Sequence, residues 1–118
     1  MTYQHASLAA GRWFELTFAE QMGNIGSEVH RAVQWQKRDP QIFDRAIDNA
    51  LELIDITVQD GRWQNRLKEI LRVREFLCDA AFGEKIYGTL EDFDDYFLQF
   101  AIAARLPKTD PPLTDNML

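Results

Sequence analysis

Apolar side chains recur at three- and four-residue steps along four long stretches of the chain. In the first, Ser7 to Arg38, the spaced positions are Phe14, Phe18, Met22, Ile25, Val29, Ala32 and Val33. In the second, Pro40 to Asp60, Phe43, Ala46, Ile47, Ala50, Leu51, Ile54, Thr57 and Val58 form one stripe, opposite Asp44, Asp48, Glu52, Asp55 and Gln59. The third, Trp63 to Phe82, aligns Leu67, Ile70, Leu71, Leu77, Cys78 and Ala81. The fourth, from Thr89 to Arg105, aligns Phe93, Phe97, Phe100, Ala101 and Ala104, with Tyr96 at the edge. This is the period of the α-helix, and no segment sustains the period of two that a strand needs. Short connections between such helices favour antiparallel neighbours, so the pattern predicts an all-α, up-down four-helix bundle over residues 1–106.

The breaks agree with that division. Asp39 can accept hydrogen bonds from the free N–H groups of a following helix, and Pro40 suits a first helical position. Gly61 and Gly83 are placed to end the second and third helices in the left-handed conformation. Thr89 with Asp92 makes a capping box of the less usual Asp kind. Beyond Pro107, the prolines and polar residues of 107–118 predict a loose, disordered tail.

Two features exceed a minimal bundle. The third helix has a second apolar strip, Val73, Phe76 and Ala80, and the fourth adds Leu98 and Ile102. One core cannot cover both arcs, so a homo-oligomer is expected. Ala19, Gly23 and Gly26 share one side of the first helix. Each mid-helix glycine costs about 1 kcal/mol relative to alanine, which close approach of a neighbouring helix would offset; a break in the helix is the alternative.

Composition narrows the functional classes. The chain has 118 residues, 46% of them hydrophobic, with 13 Lys+Arg against 19 Asp+Glu for a formal charge of −6. That is one domain, too apolar for a disordered chain. Neither a membrane span nor a signal peptide is visible. A single cysteine, Cys78, cannot form an internal disulfide and predicts a reducing, cytoplasmic setting; on the apolar face it reads as a buried thiol. A net acidic chain disfavours nucleic acid as a partner.

Arg74 is the most informative single residue. Helical counting puts it amid the apolar stripe of the third helix, where a guanidinium keeps its charge and needs an anion. Glu28, beside the stripe of the first helix, is the expected partner in a buried ion pair. Removing one member of such a pair costs roughly 3–5 kcal/mol, so Arg74→Met should disturb folding or assembly. Gripping an anionic ligand, or snorkelling to water, are the other roles open to it.

The segment 62–74 is also basic: Arg62, Arg66, Lys68, Arg72 and Arg74 are opposed within it only by Glu69, with Trp63 alongside. The segment could contact nucleic acid or another anion through phosphate contacts and stacking, or answer acidic faces within the bundle. Trp13, Trp35 and Trp63 lie near helix ends as core or rim anchors. The acidic face of the second helix, Asp44, Asp48, Glu52 and Asp55, stacks like charges at helical steps, and a solvated face is the expected outcome. His5 and His30 lack a second ligand at helical spacing, Ser7 and Ser27 lack a nucleophile's setting, and no phosphate-binding glycine loop is present. No catalytic residue, metal site or cofactor is therefore assigned.

Within the acidic face, Glu52-x-x-Asp55 resembles half of the signature of all-α nucleotide pyrophosphohydrolases of the MazG type. Their E-x-x-E partner motif is missing, and Glu91-x-x-Asp94 sits on the wrong helix. The segments GNIGSEVHRA (23–32), RAIDNALELIDITVQD (45–60), LKEILRVREFLCD (67–79) and YFLQFAIAAR (96–105) resemble a group of small prokaryotic helical proteins with no activity attached to it. In size and helix count the chain is also similar to HEPN domains and to the bundle proteins of rRNA intervening sequences. The HEPN R-x(4–6)-H catalytic motif is absent, since no Arg precedes His5 and Arg12 is far from His30. The ring-forming members imply oligomerisation. The expectation is a non-catalytic bundle acting through self-association and a protein partner, as an adaptor or antitoxin-like protein. The alternative is an RNA- or nucleotide-binding helical protein using residues 62–74; a metal-dependent nucleotide hydrolase is the remote third.

Overall fold

Four α-helices carry the fold of the described residues, 11–106 of the computed structural model: α1 (Phe18–Trp35), α2 (Pro40–Val58), α3 (Leu67–Phe82) and α4 (Leu90–Ala103). Short 3-10 turns, Arg12–Glu15 and Gly61–Arg66, precede α1 and α3, and no strand occurs among the described residues. The all-α expectation holds. The tail 107–118, His5 and Ser7 lie outside the described residues.

Side chains fix three of the four helix starts. Thr17 Oγ1 accepts from the Glu20 N–H at 3.1 Å while Glu20 Oε1 accepts from the Thr17 N–H at 2.9 Å, a full capping box that sets the start of α1. Asp39 Oδ1 accepts from the N–H groups of Gln41 and Ile42, with Pro40 in the first turn of α2. Thr89 and Asp92 cap α4 reciprocally, as expected. At the Asp92 carboxyl, the N–H and hydroxyl of Thr89 outweigh a small desolvation cost and hold its pKa below the usual value.

Three boundary expectations are corrected. Gly61 does not end α2 in the left-handed region; it opens the 3-10 turn, where Asp60 accepts from the Arg62 N–H. Trp63, at φ −106° and ψ 28°, interrupts helical geometry, so α3 starts at Leu67 rather than Trp63. Gly83 is extended, at φ −98° and ψ −154°, and the positive φ angles of the following connection fall at Lys85 and Gly88.

Helix α1 is unbroken through Gly23 and Gly26, and it packs broadly against both α2 and α4. A Cβ on Gly26 would lie 2.5 Å from Phe97 Cβ, so only glycine admits the α4 backbone and the Phe97 side chain this closely. At Gly23 the nearest neighbours, the backbone of Phe100 and Ala101, would stand 3.8 Å or more from an added Cβ. Close packing explains Gly26, and neither glycine breaks the helix. Helix α3 rests on α2 and touches α4 only lightly.

The core follows the stripes with one rotation. Phe18, Met22, Ile25, Val29 and Ala32 of α1 meet Ala46, Ile47, Ala50 and Ile54 of α2 and Phe93, Phe97 and Phe100 of α4 in one cluster. In α3 the buried residues are Ile70, Val73, Leu77 and Ala80, whereas Leu71 is exposed and Leu67, Cys78 and Ala81 are half-buried. Val73 and Ala80 thus belong to the core rather than to an extra strip awaiting another subunit. Leu98 and Ile102, by contrast, are exposed, at 57% and 54%.

Candidate functional site

The rotation of α3 changes the role of Arg74. Its Nε donates to Asp55 Oδ1 at 2.7 Å and its Nη2 to Asp55 Oδ2 at 3.3 Å. Both side chains remain in partial contact with water, 40% and 44% exposed. Its hydrogen bonds to Asp55 raise the guanidinium pKa further. The expected sealed pair of Arg74 with Glu28 is therefore corrected in both partner and burial. Arg74 lies at the α2-facing border of the apolar face, and the nearest carboxylate is on α2 rather than α1. Glu28 instead reaches Arg31 at 3.7 Å, leaving its Oε1 buried with no hydrogen-bond partner among the described residues.

The other predicted basic residues divide into two sets. Arg62 donates through Nε and Nη2 to Asp60, at 2.7 Å for the shortest bond, and through Nη2 to the Leu16 carbonyl at 2.7 Å. Its guanidinium also lies 4.5 Å from the Trp63 ring centre. Arg66 donates to Glu69 at 3.3 Å and covers the Phe18 ring at 4.1 Å. Both arginines are thereby tied into the fold. Lys68 and Arg72 are exposed, one helical turn apart, and make no ion pair or hydrogen bond among the described residues.

Behind Arg62 lies a buried polar network absent from the sequence-based expectations. Gln21, fully buried, donates from Nε2 to the Trp13 carbonyl at 3.0 Å and to Asp60 Oδ2 at 3.1 Å, and its Oε1 accepts from Trp63 Nε1 at 2.7 Å. Trp13 Nε1 donates to Thr57 Oγ1 at 2.8 Å, and Thr57 donates to the Leu53 carbonyl at 2.8 Å. Burial pushes the Asp60 carboxyl up, but the side chain and N–H of Arg62 and the Gln21 amide together hold its pKa below the ordinary value. These groups satisfy one another, which is the mark of a structural network that pins both 3-10 turns to α1 and α2. A Gln inside an apolar helical stripe, flanked by two tryptophans near helix ends, was the available sequence signal.

The unpaired pair, Lys68 and Arg72, stands on the rim of a groove of about 570 Å³ between α3 and α4. Val73, Phe76, Phe93 and Tyr96 line it, and Tyr87 of the connection closes one side. The Phe76 and Tyr87 rings stack at 4.5 Å between centres and 28° between planes, and Phe93 follows at 6.1 Å from Phe76. Tyr96 donates to Glu69 Oε2 at 3.0 Å; burial and the Glu69 charge both push its phenol pKa up, so it stays protonated. The groove exists because α3 and α4 touch so lightly. Among sequence-predicted residues it gathers Lys68 and Arg72, and it excludes Arg62, Arg66 and Arg74.

On α2, Asp44 and Asp48 are exposed, Asp55 holds Arg74, and Glu52 is half-buried with interactions of its own. Among the described residues no three His, Cys, Asp or Glu side chains converge on a position able to hold a metal ion. His30 bonds Asp94 at 2.9 Å on the surface, and Cys78 is half-buried near Arg74. No helix of the described residues is long and apolar enough to cross a membrane. Compared with known proteins, the chain matches no family model, no curated protein and no solved structure.

Proposed function

We propose that this protein is a non-catalytic helical module that self-associates and acts through protein contacts, in the manner of an adaptor or antitoxin-like partner. The observation that carries the proposal is the outer ridge of α4. Leu98 and Ile102 stand more than half exposed one helical turn apart, with Leu106 exposed just beyond them. Burying such a ridge against another copy returns roughly 25 cal/mol per Å² of apolar area removed from water. The pairing of Arg62, Arg66 and Arg74 within the fold adds support, because it engages three of the five basic side chains of the segment. The proposal takes the helices to alternate up and down. In support, α1 meets α2 and α4, while α3 meets α2 and, lightly, α4. The single thiol supports a reducing, cytoplasmic setting, and the resemblance to ring-forming bundle proteins supports assembly.

Light scattering across a concentration series tests this. The wild-type chain is expected at a multiple of its own mass, and the double variant Leu98→Asp, Ile102→Asp at the single-chain mass with unchanged helical circular dichroism. A wild-type chain that stays single throughout, or a double variant that assembles as before, overturns the proposal.

A further inference from the structure

We propose that the groove between α3 and α4 is a binding site for a small planar aromatic anion. Its lining is apolar and aromatic, and its volume of about 570 Å³ is that of a cleft holding a small organic molecule. The Phe76–Tyr87 stack, with Phe93 beside it, presents ring faces and edges to an incoming flat ring. Aliphatic ligands would fill the space without using those faces.

The two cations at the rim stand out on an acidic molecule. The chain as a whole is acidic, at −6. At the groove, however, Glu69 is answered by Arg66 and by the Tyr96 hydroxyl, at 3.3 and 3.0 Å. Asp92 is held by the Thr89 N–H and hydroxyl at the positive end of α4, at 2.9 and 3.1 Å. Counted in full, Lys68 and Arg72 balance Glu69 and Asp92, but both carboxylates are engaged within the fold, whereas the two cations make no ion pair or hydrogen bond among the described residues. An ammonium and a guanidinium one turn apart can close on a single carboxylate or phosphate with charge-assisted hydrogen bonds. The ring fits the floor while the anion fits the rim. That anion can sit on a free aromatic acid or on a nucleotide, and the same chemistry recognises both.

Isothermal titration of the full chain separates these cases. The probes are 2-naphthoate, neutral 2-naphthol, adenosine monophosphate and adenosine. At least one anion should bind saturably, about tenfold or more tightly than its neutral counterpart. The double variant Lys68→Gln, Arg72→Gln should lose that preference, whereas Arg45→Gln on the exposed side of α2, which removes charge elsewhere, should keep it. Tyr87→Ala should weaken every ligand that binds. Preference confined to naphthoate identifies an aromatic acid, and preference confined to or shared by the nucleotide identifies a nucleotide source; either upholds the site. No saturable binding of either anion up to millimolar concentration, equal binding of charged and neutral rings, or a preference that survives loss of both Lys68 and Arg72 overturns it. The assembly state does not enter this readout, so failure here leaves the self-association proposal standing, and the converse holds.

Discussion

At Arg74, a bidentate contact with Asp55 and partial exposure pull in opposite directions. The bond lengths are those of a good ion pair, but water reaches both groups, so the pair costs little to assemble and little to lose. Exposed pairs of this kind are worth about 0–1 kcal/mol. Arg74→Met should therefore shift the urea-unfolding free energy by less than about 1 kcal/mol, well short of the roughly 3–5 kcal/mol of a sealed pair. A loss in the larger range would mean that Arg74 is buried in solution. Asp60 is the opposite case: nearly buried, and bonded by Arg62 and Gln21. Its pKa in the folded chain lies below the 3.8 of an ordinary aspartate. The folded state thus resists protonation more than the unfolded chain does. The stability contributed by Asp60 is complete above the unfolded pKa and is lost as pH falls through the folded one. Denaturation midpoints measured from about pH 5 down to about pH 2 should fall in the wild type and fall less steeply in Asp60→Asn.

Between helices, two glycines lie along the α1–α4 contact and differ in what surrounds them. Gly26 has no room for a methyl group, since Phe97 Cβ occupies the position; Gly23 has ordinary van der Waals space. Gly26→Ala should lose about 1–3 kcal/mol through forced separation of the helices. Gly23→Ala should gain up to about 1 kcal/mol from the lower entropy of the unfolded chain and better helix propensity. Thermal unfolding of the two single variants checks the contrast; shifts of the same sign and size would remove close packing as the reason for Gly26. The α3–α4 contact lacks any such pair of small residues. Aromatic side chains on both helices hold them apart, and the groove is the consequence.

For the whole molecule, the net charge of −6 opposes assembly. Copies that meet through an apolar ridge repel one another at long range, and salt screens that repulsion over a Debye length that shrinks from about 30 Å at about 0.01 M to about 8 Å at about 0.15 M. Self-association measured by sedimentation should tighten over that range. Weakening with salt would point to an interface built from ion pairs instead of Leu98 and Ile102. Much of the fold was legible beforehand because it is written locally. Asp39-Pro40 and Thr89-x-x-Asp92 mark two helix starts; the start of α1, set by Thr17 and Glu20, is not among them, since the stripe alone places it at Ser7. The candidate site was only half legible. Lys68 and Arg72 stood out as cations, but nothing at their positions told them apart from Arg62 and Arg66, whose partners come from the turns and from α1.

Helix type, the division into four helices and most core positions of α1 and α4 followed from the chain alone, because a 3.6-residue period and a capping side chain act within one or two turns. The tertiary structure decided how far α3 is rotated, and with it that Val73 faces the core while Arg74 faces Asp55. It also brought Gln21 to Asp60 and Trp63, and it left the groove open beside Lys68 and Arg72. Those outcomes depend on how side chains of several elements share one volume, and no single helix carries that information in its own spacing.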